Sequence, residues 1–336
     1  MARGGWIWQG KGASVLLFFH GLEASSSTAA LRLLGAFSSE AFASVFHYVG
    51  SGLSHEKMHE TYFFEQQDGS RIAYNILEPQ KPDDIKKTPI VLIMGIYGVK
   101  EIFMVLKEEL AKNQKVIVFD NRGMGESSVV SPYDPISFDL MAQDTIALIK
   151  HLGIKRFNLL GWSMGGYIAI HVASNLPLDL ELEKLMICAC QVHSLVPSYW
   201  ECFYNLPKPP DGPKNIQDQK DKFMEYDESF IDYMVKHPDI CDKYAEIHVT
   251  ANLPFEIFKR QWEAMKKTNI LSKSKTINVP TLLIHGEEDK LVPIENSELL
   301  AREITNSKFI LIPKVGHTFW IGAPEAITFI NEFLST

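Results

Sequence analysis

Leu159-Leu160-Gly161-Trp162-Ser163-Met164-Gly165-Gly166 reads as a strand that turns at once into a helix. Apolar Phe157, Leu159 and Leu160 precede the turn, and a helix-forming run from Tyr167 to Ala173 follows it. Glycines on either side of Ser163 let the backbone cross itself without a Cβ clash, so the serine hydroxyl projects from the tip of a strained turn. The start of the following helix sets backbone N–H groups and a positive dipole end beside that hydroxyl, where a developing oxyanion would lie. Gly-x-Ser-x-Gly alone is a short pattern. The strand before it, the helix after it and the further Gly166 favour a nucleophile at Ser163 over a mere tight turn.

Outward from this turn, strands and helices alternate. Thr61 to Glu65 and Arg71 to Leu77, joined at Asp68-Gly69, carry a hairpin signature. Pro89 to Met94 and Lys115 to Phe119 are continuous apolar runs, as strands buried on both faces require. Val99 to Lys112 has helical spacing, and Asp139 to Leu152 is an amphipathic helix with Leu140, Ile146, Leu148 and Ile149 apolar. A strand at Lys184 to Ala189 follows the elbow. The pattern resumes with a strand at Val279 to Gly286, a helix at Ile294 to Ile304, a strand at Lys308 to Ile312 and a helix at Pro324 to Phe333. This spacing predicts βαβ units and a mostly parallel sheet. Between them, residues 192–275 hold Pro207, Pro209, Pro210 and Pro213, a charged run and scattered aromatic and methionine residues. We read a helical insertion laid over the end of the sheet.

Residues 1–60 do not share this rhythm and form an N-terminal extension of unassigned role, with one helix expected near Ala29 to Phe37. The apolar run Val15 to Phe19 is short for a secretory signal, and Glu23 and Glu40 count against a mitochondrial transit peptide. A cytoplasmic location is the expectation, with mitochondrial targeting by the extension the alternative. The 336 residues carry a net charge of -8 and 46% hydrophobic content, which does not suggest a nucleic-acid partner. No apolar stretch is long enough to span a membrane. Cys188, Cys190, Cys202 and Cys241 read as thiols rather than a disulfide framework. Cys188-x-Cys190 with His193 lacks a fourth ligand, so no metal or cofactor is expected.

A serine hydroxyl needs a base within hydrogen-bond reach, and the base needs a third group to orient it. In a parallel sheet such groups collect just past the carboxyl ends of strands. Of the 11 histidines, His317 follows the last strand behind the turn-forming Gly316, and His193 is its rival. His285 ends its own strand and reads as packing, His171 and His151 lie in helices, and His20, His47, His55, His59, His237 and His248 read as surface residues. The loop after Thr281 to Ile284 offers three acids, Glu287, Glu288 and Asp289. Two backbone donors would hold an oxyanion: Met164, next after the nucleophile, and Ile96, in the turn Gly95-Ile96-Tyr97-Gly98 after a buried strand. His20-Gly21 competes with that turn on pattern alone and lies too far from the elbow in strand order.

Four motifs occur in order: Met94-Gly95-Ile96, Asp120-x-Arg122-Gly-x-Gly-x-Ser127, Gly161-x-Ser163-x-Gly165-Gly166, and His285-Gly-x-x-Asp289-x-x-x-Pro293 with Gly316-His317. From about Thr61 onward the chain thereby resembles the α/β-hydrolase superfamily. The resemblance implies an α/β-hydrolase fold over 61–336, a mostly parallel eight-stranded sheet flanked by helices, with the helical insertion as a cap. It implies Ser163 as nucleophile, His317 as base, Asp289 as the acid that orients it, and Ile96 and Met164 as oxyanion donors. Met94 departs from the family, which usually has histidine there, and the Arg122 to Ser127 turn would support the elbow.

The expected activity is a serine hydrolase cleaving a carboxylic ester, or a related amide or thioester, with an apolar acyl or aryl pocket in the insertion. A serine nucleophile argues against the epoxide hydrolases and haloalkane dehalogenases that share the fold. Acyl transfer or carbon–carbon bond hydrolysis on the same triad is an alternative, and a non-catalytic binding protein on this scaffold is another.

Overall fold

The computed structural model describes residues 59–81, 87–192, 205–206, 213–223 and 227–336, together with the backbone of residues 6–10 and 13–17. The chain divides into two compact units, Met1–Met58 and His59–Thr336. In the first, β1 (Trp6–Gly10) pairs antiparallel with β2 (Ala13–Leu17). The helix expected near Ala29 and the His20-Gly21 turn lie outside the described residues.

The second unit is built on an eight-stranded sheet. Its strands are β3 (Tyr62–Glu65), β4 (Arg71–Leu77), β5 (Ile90–Ile93), β6 (Val116–Phe119), β7 (Arg156–Trp162), β8 (Glu181–Cys188), β9 (Thr281–Gly286) and β10 (Ser307–Ile312). They lie in the order β10-β9-β8-β7-β5-β6-β4-β3. Neighbours from β10 through β6 run parallel, while β4 runs antiparallel to β6 and β3. All residues of β5, β6 and β9 are buried, as a sheet covered on both faces demands.

A 3-10 turn at Lys100–Phe103 leads into α1 (Met104–Ala111), and α2 (Phe138–His151) and α3 (Met164–Ser174) follow. After β9 come α9 (Glu295–Glu303), α10 (Phe319–Gly322) and α11 (Glu325–Ser335). Alternation along β5 sends Val91 and Ile93 into one core with α2 and α3, and Ile90 and Leu92 into a second core with α1 and α11. Helix α2 starts where the Ser137 hydroxyl accepts from the Leu140 N–H at 3.1 Å. Its buried face carries Phe138, Met141, Thr145, Leu148 and Ile149, whereas Leu140 and Ile146 sit half-buried at the edge of that stripe. Between β8 and β9 lie α4 (Ile216–Phe223), α5 (Glu228–Lys236), α6 (Pro238–Thr250), α7 (Phe255–Lys267) and α8 (Leu271–Ser274).

The turn after β6 is fixed by buried charge. Lys100 and Asp120 side chains are both 0% exposed and meet at 3.0 Å. Asp120 also accepts from the N–H groups of Lys100 at 2.7 Å and Glu126 at 2.9 Å. The Ser127 hydroxyl donates to the Asp120 carbonyl and accepts from the Ala73 N–H, tying the turn to β4. Burial pushes the Lys100 ammonium down, but the carboxylates of Asp120, Glu101 and Glu126 outweigh it and hold the lysine charged. Removing one partner would strand the other charge inside the protein. Lys100→Met should therefore cost roughly 3–5 kcal/mol in urea unfolding, and Lys100→Met with Asp120→Leu should recover part of that loss. A single variant as stable as wild type would contradict the pairing.

Candidate active site

Strand β7 ends at Trp162 and α3 begins at Met164, so Ser163 alone makes the turn. Its φ of 55° and ψ of -122° lie where non-glycine residues are strained by about 1–3 kcal/mol. The Ser163 N–H donates to the Cys188 carbonyl at 2.8 Å, and the Gly166 N–H donates to the Ser163 carbonyl at 3.0 Å. A Cβ at Gly161 would strike the Gly165 carbonyl, and a Cβ at Gly165 would strike the Ile93 carbonyl. Only glycine permits this approach of α3 to β5 and β7.

The turn after β5 lies against the serine, since a Cβ at Gly95 would stand 3.1 Å from the Ser163 Cβ. Met164 opens α3 and so has no intrahelical acceptor for its N–H. The Ile96 N–H has no hydrogen-bond acceptor among the described residues. The next N–H, of Tyr97 at φ 55°, donates to Gln261 Oε1 at 3.0 Å. Met94, fully buried, fills the space beneath this turn with its thioether, since a Cβ at Gly98 would come within 2.9 Å of it.

Asp289 and His317 meet directly: His317 Nδ1 stands 2.6 Å from Asp289 Oδ2, with the carboxylate 1% and the imidazole 11% exposed. The other carboxylate oxygen accepts from the N–H groups of Leu291 and Val292, both at 2.9 Å. Burial pushes the Asp289 carboxyl up, but the His317 charge and hydrogen bonds from His285, His317 and the Val292 N–H outweigh it. The group is held well below the usual carboxylate range. With Nδ1–H donated to a carboxylate, the neutral imidazole keeps its lone pair on Nε2, the nitrogen a base would use. The loop carrying His317 is fastened to the elbow, because Trp162 Nε1 donates to the His317 carbonyl at 3.0 Å and the two rings stand 4.9 Å apart.

Ser163, Ile96, Asp289 and His317 thus follow the carboxyl ends of β7, β5, β9 and β10, all parallel. Among the described residues no hydrogen bond joins the Ser163 hydroxyl to the imidazole. Such bonds often tighten only when substrate is bound. Glu287 and Glu288 are exposed, and Glu287 turns away to accept from the Lys314 N–H at 3.1 Å. His193 and Cys202 lie outside the described residues, as do His20, His47 and His55. Cys188 and Cys190 are fully buried, and burial pushes both thiols up.

Three residues were not assigned to the site from sequence. Trp162 is one; His285 is the second, fully buried with Nε2 2.9 Å from the Val292 carbonyl and Nδ1 2.7 Å from the Ser297 hydroxyl. It braces the Asp289 loop beyond packing its own strand end, a role its place in the fourth motif could have signalled. Gln261 is the third. His248, expected at the surface, instead packs on Phe223 and Tyr244, and its Nδ1 meets the Tyr244 carbonyl at 2.8 Å. Hydrophobic spacing along α6 hides it, because its partners lie one turn away and on α4.

A mostly parallel eight-stranded sheet with a strand–serine–helix turn at its carboxyl edge is the architecture of α/β hydrolases. Residues 88–180 and 193–324 match the alpha/beta hydrolase fold family, and the chain belongs to it. It is 28% identical to the AB hydrolase superfamily protein YisY of Bacillus subtilis over 257 residues, covering 71% of this chain and 88% of YisY. It is 27% identical to a poly(3-hydroxyalkanoate) depolymerase of Ectopseudomonas oleovorans over 260 residues, covering 77% of this chain and 87% of that one. A thermophilic esterase from Thermogutta terrifontis superposes with a TM-score of 0.64 at 25% identity, covering 82% of this chain and 98% of the esterase. Among the described residues no helix is long and apolar enough to cross a membrane.

Asp289→Asn should leave the fold intact, because the amide oxygen can still accept from Leu291 and Val292. It would present His317 with the wrong partner and should lower turnover of any substrate the site accepts by about 10⁴-fold. Thermal melting beside steady-state kinetics checks this, and an unimpaired rate would remove Asp289 from the chemistry.

Proposed function

We propose that this chain is a serine hydrolase that cleaves a carboxylic ester through an acyl-enzyme, with amides and thioesters as related substrates. The observation that carries the reading is the Asp289–His317 pair at 2.6 Å, fastened by a hydrogen bond to Trp162, the residue before Ser163 at φ 55°. Ser163 Oγ attacks the carbonyl carbon as His317 Nε2 takes its proton. Asp289 holds the imidazole in place and stabilises the imidazolium that forms. The N–H groups of Ile96 and Met164 receive the oxyanion, aided by the N-terminal dipole of α3. The intermediate collapses as the imidazolium returns its proton to the leaving alcohol. Water, deprotonated by His317, then attacks the acyl-serine, and a second collapse frees the acid and restores Ser163.

The helices between β8 and β9 act as the cap in this reading. Buried Phe258, Trp262 and Met265 on α7, together with Ile96, Met124 and Met164, supply apolar surface suited to an acyl or aryl group. The esterase and polyester depolymerase among the similar proteins are in keeping with ester chemistry.

A fluorophosphonate probe should label the wild-type protein and fail to label Ser163→Ala. His317→Ala should lose about 10³-fold or more in turnover of a short p-nitrophenyl ester while melting at the wild-type temperature. Equal labelling of Ser163→Ala, or an equal rate for His317→Ala, would overturn the assignment.

A further inference from the structure

Gln261, on α7, is fully buried, and one half of its carboxamide is committed while the other is not. Oε1 accepts from the Tyr97 N–H at 3.0 Å, the residue next to the Ile96 donor. That bond fixes which end of the amide is which, because an N–H can be met only by the carbonyl oxygen. Nε2 is then a double donor, buried and without a hydrogen-bond partner among the described residues. Phe258, three residues earlier on α7 and in ring contact with Tyr97 at 5.2 Å, belongs to the buried apolar core that also holds Ile96, Met124 and Trp262. A stranded donor in such a place is disfavoured, and a side chain needed only to hold the Tyr97 N–H has no use for it.

We infer that Gln261 is a specificity residue, whose Nε2 donates to a second oxygen on the acyl chain of the substrate. The inference rests on the serine hydrolase reading above and deepens it. We assign the donor to the acyl side by its distance in the sheet from His317. The leaving alcohol must face His317, which comes from the β9–β10 side of β7, whereas Gln261 is bonded to the turn after β5, on the other side of β7. The substrate class is therefore an ester whose acyl group carries an oxo or hydroxy oxygen near the scissile carbonyl. A plain alkanoate would leave the donor unmet, and sites built around a buried polar group reject ligands lacking its partner.

The test uses ethyl butanoate, ethyl 3-hydroxybutanoate and ethyl 3-oxobutanoate, followed by pH-stat with the full chain, Ser163→Ala, Gln261→Leu and Gln261→Glu. Each kcat/KM ratio of an oxygenated ester to ethyl butanoate is divided by the same ratio for hydroxide in solution, which cancels intrinsic reactivity. Wild type should favour at least one oxygenated ester by about tenfold or more on this scale. Gln261→Leu should bring that preference down toward unity, chiefly through KM. Gln261→Glu, which keeps an acceptor for the Tyr97 N–H, should retain more kcat on ethyl butanoate than Gln261→Leu. A wild-type preference no greater than that of hydroxide overturns the inference without any variant, as does a preference that survives in Gln261→Leu. Wild-type rates lost in Ser163→Ala, with ratios indifferent to Gln261, would sink this assignment alone. Hydrolysis that persists in Ser163→Ala would sink the serine reading and this inference with it.

Discussion

Ser163 sits at a φ of 55° because a buried strand and a buried helix must meet with a single residue between them. That constraint propagates through backbone contacts. Helix α3 reaches the sheet only where Gly161 and Gly165 bring no Cβ, and Gly165 then rests on the Ile93 carbonyl of β5. The turn leaving β5 is consequently pressed against the serine, with Gly95 beneath its Cβ. Ser163 and the turn carrying Ile96 are thus neighbours by the geometry of backbone packing, before any side chain is considered.

The buried charges of Asp289, Lys100 and Arg122 are tolerated because each is surrounded by partners. Burial alone would neutralise Asp289, yet two N–H groups and two imidazoles face its carboxylate, and together they keep it ionised. Since the folded carboxyl titrates below its unfolded counterpart, its contribution to stability is present above the ordinary carboxylate range and is lost as pH falls through the folded value. Arg122 and Asp144 are paired through two hydrogen bonds of 2.7 and 2.6 Å between a guanidinium and a carboxylate that are both buried, though burial still pushes the Asp144 carboxyl up. With Lys100 and Asp120, that pair holds the turn after β6 in the shape its glycines allow.

Much of this was legible in the sequence because local signals coincide with the fold. Each parallel strand from β5 to β9 reads as an apolar run, and the candidate groups follow directly behind such runs. Spacing could not separate Asp289 from Glu287 and Glu288; only the resemblance did. The structure supplies a physical reason, because the Asp289 side chain turns in to meet the Leu291 and Val292 N–H groups while Glu287 reaches out to Lys314. Trp162 and Gln261 were invisible for another reason: their partners stand 155 and 164 residues away in the chain, beyond any periodicity. The insertion showed itself only as a break in rhythm, since its helices carry no register with the sheet.

That insertion is more than a cover. Ile257 of α7 lies over Gly123, Asn252 exchanges hydrogen bonds with Gly125, and Tyr97 is bonded to both Gln261 and the Leu253 carbonyl. On the other side, Asp227, which caps α5, abuts Gly316 beside His317, and Ser229 abuts Gly322 of α10. The insertion therefore grips the turns after β5 and β6 and the loop that carries the imidazole. A change in its helices would reach the turn carrying Ile96 and the loop carrying His317 through packed backbone. The positions of Ile96 and His317 are therefore mechanically joined to the packing of these helices.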